Sequence, residues 1–147
     1  TDKVAIASPD QGGVERGRVF AEAFFGNKEE ELVVVEKKRD LENIHKSQAI
    51  SLYGDVKDKT VILVDDIVTL GGTILNAAEL CLKKGAKKII AAVVHHDFAG
   101  DIHKRIQDSK IEKFFTTDTI TLPAEQKISK LEEISVDSII AAQLKKV

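Results

Sequence analysis

Thr60-Val61-Ile62-Leu63-Val64-Asp65-Asp66-Ile67-Val68-Thr69-Leu70-Gly71-Gly72-Thr73 carries a buried-type apolar run, two acids, and then hydroxyls and glycines, in that order. Thr60 to Val64 is a continuous β-branched and aliphatic run, the mark of a strand covered on both faces. Past Thr73, Ile74, Ala77, Ala78, Cys81 and Leu82 recur at helical spacing. Lys83 and Lys84 suit the last turn of that helix, and Gly85 suits a left-handed cap after it. The acids therefore stand at the carboxyl end of a strand, where open α/β sheets bind ligands. Gly71 and Gly72 let backbone N–H groups come close to an anion at a helix N-terminus, and Thr69 and Thr73 add hydroxyl donors. This is a phosphate cradle beside two carboxylates. Carboxylates do not bind phosphate, so Asp65 and Asp66 are assigned the hydroxyls of a sugar or a magnesium ion. It is not a Walker P-loop, because no Gly-Lys-Ser/Thr follows.

Working outward, apolar segments alternate between strand and helix character. Val4 to Ala7, Leu32 to Val35, Ile89 to Val94 and Phe114 to Thr117 read as strands. Val14, Gly17, Ala21, Phe24 and Phe25 mark a helix closed by Gly26-Asn27, and Ile102 and Ile106 mark a short one. Val136, Ile139, Ile140 and Leu144 predict a final amphipathic helix capped by Ser135. Glu36 to Gln48 is polar without a period and reads as an exposed, mobile loop, with a hairpin strand ending over Ala49 to Tyr53. The alternation predicts an α/β domain over residues 1–147, a parallel sheet with helices on both faces.

Composition narrows the function classes. The chain has 147 residues and a net charge of −2, which gives no support to bulk nucleic-acid binding. No apolar run approaches the roughly 18–20 residues of a membrane helix, and Thr1 to Ile6 lack the basic end and long apolar stretch expected of a signal peptide. A cytoplasmic protein is the simplest reading. The single cysteine, Cys81, excludes an internal disulfide and falls on a buried helical stripe. There is no Met, so Thr1 reads as a processing boundary rather than a natural start.

A second loop, Ser8-Pro9-Asp10-Gln11-Gly12-Gly13, precedes the first helix. Its glycines can present N–H groups to an anion and the Asp10 carboxylate can hold a cation. The plainer alternative is a helix-opening turn with Asp10 as its cap.

Together these segments resemble the ribose-phosphate diphosphokinases and, through Asp65 to Thr73, the related type I phosphoribosyltransferases. The resemblance implies a type I phosphoribosyltransferase-like fold. It implies that Asp65 and Asp66 hold the ribose 2- and 3-hydroxyls and that Thr69, Gly71, Gly72 and Thr73 hold the 5-phosphate. By the same resemblance, Gly12 and Gly13 face the diphosphate and Asp10 helps ligate magnesium. Val35-Glu36-Lys37-Lys38-Arg39 matches the Lys-x-Arg pair at the root of the family's catalytic loop, which implies that Lys37 and Arg39 are catalytic. Gly54 to Lys59, Val94-His95-His96 with Gly100, and Thr117 to Ile120 also match, and His96 aligns with a histidine common in the family. Thr69-Leu70 departs from the pattern, which commonly has Asp-Thr there.

The match runs from Val4 to about Leu144, and it is to the C-terminal half of the family. The implied reaction joins the diphosphate of ATP to ribose-5-phosphate, giving phosphoribosyl diphosphate, in a cytoplasmic homo-oligomer that engages neither nucleic acid nor membrane. The 147-residue chain alone is expected to be inactive. A phosphoribosyltransferase acting on a base, or a non-catalytic associated subunit, are the competing readings.

Overall fold

The computed structural model describes residues 3–26, 32–39 and 47–147, with the backbone alone over 37–39 and 47–50. Strands β1 (Val4–Ser8), β2 (Val33–Arg39), β3 (Ser47–Tyr53), β4 (Thr60–Val68), β5 (Lys88–His96), β6 (Ile111–Thr117) and β7 (Leu131–Ile134) form one sheet in the order β3-β2-β1-β4-β5-β6-β7. Every pairing is parallel except β2 with β3. Helices α1 (Val14–Phe25), α2 (Gly72–Lys83), α3 (Ile102–Asp108) and α4 (Asp137–Leu144) complete the described fold. No helix among the described residues is long and apolar enough to cross a membrane.

Strand alternation sorts the core into two faces. Ala5, Ala7, Val61 and Leu63 point to the side covered by α2 and α3, where Ile74, Ala77, Cys81, Ile102 and Ile106 are buried with them. Ile6, Ile62 and Val64 point to the other side, where they meet Ala21, Phe20 and Phe25 of α1. Both faces are thus covered, as the apolar runs predict. The crossovers β1-α1-β2 and β4-α2-β5 leave in opposite directions from adjacent strands, so a crevice opens between the carboxyl ends of β1 and β4.

Several local expectations change. β4 does not stop at Val64: it runs through both acids to Val68, because β5 continues beside it, pairing Asp65 with Val93 and Val68 with His96. β2 runs to Arg39, so Glu36 to Arg39 is strand rather than loop, with a register shift between Glu36 and Lys37. Ser47 and Gln48, read as the end of the same loop, are the first residues of β3, and residues 40–46 lie outside the described residues. β7 carried too few apolar residues to be read as a strand, and it is an edge strand whose residues are mostly exposed. The final helix forms, but its apolar residues are not buried: Ile139, Ile140 and Leu144 are 61%, 54% and 67% exposed. Val136, not Ser135, stands at its N-cap, with Asp118 accepting from Val136 N–H at 3.1 Å and the Ser135 hydroxyl accepting from Asp137 N–H.

Candidate functional site

The site is built by the crevice. On its β4 side, a cavity of about 380 Å³ is lined by Asp65 and by the continuous run from Ile67 to Ile74. Thr69, Gly71, Gly72 and Thr73 all border it, so the structure brings the predicted phosphate cradle together with the first acid. Gly71 is the residue that opens α2, with φ of 68°, and a Cβ there would run into the Ile102 side chain. Only glycine meets both demands. A Cβ on Gly72 would meet nothing within 4 Å, so the space beside that residue is open. The loop is buttressed from behind: Ala99 N–H donates to Thr69 O, and the Arg105 guanidinium donates to Leu70 O at 3.1 Å.

On the β1 side, Gln11–Gly13 forms a single 3-10 turn leading into α1. Asp10 Oδ1 accepts from Gly13 N–H at 3.1 Å, so the capping role weighed in the sequence is realised. Ser8 Oγ donates to Asp10 O at 2.6 Å, and a Cβ on Gly13 would sit 2.6 Å from that hydroxyl. Glycine is therefore required at Gly13 by close approach, not by its dihedral angles.

One residue of the site went unread in the sequence. Arg16, on the first turn of α1, spans both acids: Nη1 lies 3.0 Å from Asp65 Oδ1 and Nη2 lies 2.6 Å from Asp66 Oδ2. Backbone donors hold the acids as well, with Asp66 N–H on Asp65 Oδ1 and Ile67 N–H on Asp66 Oδ1. No local pattern betrays Arg16, since its partners stand some fifty positions away.

The acid pair is electrostatically split. Burial pushes the Asp65 carboxyl up to about 6, aided by the neighbouring charges of Asp66 and Asp10, although its side chain also meets Arg16. Asp66 moves the other way. Desolvation pulls it upward, but the Arg16 charge and the Ile67 N–H outweigh that and hold it below the ordinary value. The difference follows exposure, since the Asp65 side chain is 12% exposed and that of Asp66 is 53%.

Lys37 and Arg39 fall within β2, opposite Ala49 and Ser47, and their side chains lie outside the described residues. Glu36, just before them, accepts from Gln11 Nε2 and from the Tyr53 hydroxyl, which ties the base of this hairpin to the Asp10 turn. His96 is buried, with Nδ1 3.0 Å from Thr116 Oγ1, and stands in the core beside Phe98. Cys81 is fully buried and its thiol is pushed up to about 12, which fits a core residue.

Among the described residues no group of three or more His, Cys, Asp or Glu side chains could hold a metal ion. Magnesium does not need one: it commonly binds through one or two carboxylates plus substrate phosphates. Asp10 meets that requirement, and its charge is felt at Asp65 across the crevice.

Known proteins are similar to this chain in sequence and in fold. The chain is 35% identical over 147 residues to a ribose-phosphate pyrophosphokinase of Clostridium acetobutylicum, covering all of this chain and 44% of that protein. It is 39% identical over 140 residues to the enzyme of that name from Caldanaerobacter subterraneus, covering 95% of this chain and 42% of the relative. The phosphoribosylpyrophosphate synthetase of Mycobacterium smegmatis superimposes with a TM-score of 0.84 at 26% identity, over 98% of this chain and 44% of the other. A purine phosphoribosyltransferase of Pyrococcus horikoshii shares the fold, at a TM-score of 0.50 and 21% identity, over 91% of this chain and 70% of the other. The chain thus spans less than half the length of the curated relatives it matches, and the likeness is to one half of such an enzyme, as the resemblance to a C-terminal half implies. The family model of the phosphoribosyl transferase domain covers residues 1–126, from the first strand past the acid pair and both glycine turns, and this chain belongs to that family.

Proposed function

We infer that this chain is the ribose-5-phosphate-binding, C-terminal half of a ribose-phosphate diphosphokinase. The observation that carries the reading is the single cavity wall that joins Asp65 to the Thr69–Thr73 run. Phosphate would lie against the N–H groups and hydroxyls of Gly71, Gly72, Thr69 and Thr73, favoured by the positive end of α2. The ribose hydroxyls would donate to Asp65 and Asp66. This fixes the sugar at two ends, so its 1-hydroxyl faces the turn formed by Asp10, Gly12 and Gly13. A diphosphate donor, ATP, would be received there.

Asp10 would hold the magnesium, which when bound offsets charge on the diphosphate. The chain's own residues do the rest. Gly12 and Gly13 present backbone donors, and Lys37 and Arg39, rooted on β2 next to that turn, would place cations on the oxygens that gain charge as the diphosphate moves. Positioning and charge stabilisation suffice, because phosphoryl-type transfer asks little covalent chemistry of the protein. The relatives named ribose-phosphate pyrophosphokinase favour this reading over a base-specific phosphoribosyltransferase. Exposed Ile139, Ile140 and Leu144 are in keeping with a homo-oligomer, and small-molecule chemistry in the cytoplasm is the setting this reading implies.

The test is turnover by the whole protein: ATP, ribose-5-phosphate and magnesium should yield phosphoribosyl diphosphate and AMP. The 147-residue chain alone should make none. Product formed from a purine base and phosphoribosyl diphosphate, with none from ATP, would overturn the reading.

A further inference from the structure

We propose that Arg16 competes with a bound sugar for the acid pair, so that the arginine opposes sugar binding. The inference rests on the sugar-binding reading of Asp65 and Asp66. Arg16 Nη1 and Nη2 each take one acid, at 3.0 and 2.6 Å, so the fork bridges two side chains rather than pinching one. Asp65 Oδ1 also receives Asp66 N–H, and the second oxygen of Asp66 receives Ile67 N–H. The guanidinium therefore takes one acceptor position on each acid, in competition with vicinal hydroxyls for the same pair. Two N–H donors on a rigid fork and two O–H donors on adjacent carbons are alternative ways to satisfy the same pair.

The surroundings make the bridge exchangeable. The Arg16 side chain is 33% exposed and that of Asp66 is 53%, so water can take over at those two groups, while Asp65, at 12%, would draw its replacement donor from the sugar. Gly13 leaves room for the arginine: a Cβ there would stand 3.0 Å from Nη1. The same guanidinium thus lies between the acids and the glycine turn, and release from the acids leaves it beside that turn. The bridge also explains how two adjacent acids, one of them largely buried, are tolerated side by side.

The experiment compares ribose-5-phosphate with inorganic phosphate by calorimetry on the whole protein and on Arg16→Gln and Arg16→Lys, at about pH 8.5 so that the acids are ionised. Arg16→Gln should bind ribose-5-phosphate about three- to tenfold more tightly, while inorganic phosphate, which loses a nearby positive charge and gains no freed acceptor, should bind no more tightly than before. Arg16→Lys, a point charge that cannot span both acids, should fall between. In the original protein the Arg16 Nε–H resonance should shift on adding ribose-5-phosphate and stay in place with inorganic phosphate. Equal or weaker binding of ribose-5-phosphate by Arg16→Gln, or an unmoved resonance, would overturn the exchange while leaving the sugar site intact. If the original protein fails to prefer ribose-5-phosphate over inorganic phosphate, the sugar reading of the acids falls and the exchange falls with it.

Discussion

Gly71 and Ile102 are in such close approach that the residue capping α2 has no room for a side chain. The loop and α3 are built as one unit, since Ile102 is itself buried in the main core. Gly71→Ala would carry two penalties, a left-handed φ unsuited to an L side chain, costing about 1–2 kcal/mol, and displacement of a core isoleucine. Urea unfolding should show a clear fall in midpoint, and inorganic phosphate binding should weaken. Gly72→Ala, with open space around it, should leave the midpoint near its original value.

Asp65→Asn and Asp66→Asn should separate the two halves of the ligand. Each loses a charged acceptor for a sugar hydroxyl, which is worth roughly 1.5–3 kcal/mol, or about tenfold or more in affinity. Inorganic phosphate, which does not address these oxygens, should bind as well or better once negative charge is removed. Parallel losses for ribose-5-phosphate and phosphate in calorimetry would contradict the assignment.

The raised carboxyl of Asp65 gives binding a pH dependence. Its value in the folded chain is about 6 against an ordinary 3.8, so the fold favours the protonated form. The stability from this group is complete below the ordinary value and is lost as pH rises through about 6. Sugar binding has the opposite sign, because hydroxyls donate to the ionised form. Ribose-5-phosphate affinity should therefore fall as pH drops through about 6, more steeply than in Asp65→Asn, which keeps only the titration of the phosphate itself. Calorimetry across that range on both proteins is the check.

Lys37 and Arg39 are expected to act mainly in the transition state. Replacing either with Ala in the whole protein should lower kcat by orders of magnitude, with a much smaller change in the KM for ribose-5-phosphate, which is held elsewhere. Steady-state kinetics on the two variants would show it, and near-normal kcat in both would return these residues to a solvated charge run.

Much of this protein is decided locally and is therefore visible in its sequence. The run Val61 to Val64 has to be a doubly covered strand, because each of its side chains gains by burial on one face or the other. Gly71-Gly72-Thr73 after an apolar strand has to open a helix with its donors exposed, and α2 begins there. The spacing of Ile74, Ala77, Ala78 and Cys81 likewise fixes which face of α2 is buried. These are properties of near neighbours along the chain. What the fold alone decided depends on distant partners. β4 continues through Asp65 and Asp66 because β5 supplies hydrogen bonds beside it, and no run of apolar residues announces that. Glu36 to Arg39 is strand because β3 pairs with it, despite its charged composition. The periodic residues of α4 predict a buried face, but among the described residues Ile139, Ile140 and Leu144 stay more than half exposed. Arg16 reaches the acid pair only because α1 returns along the sheet face past the end of β4, and an arginine in a helix carries no local sign of a partner fifty positions away.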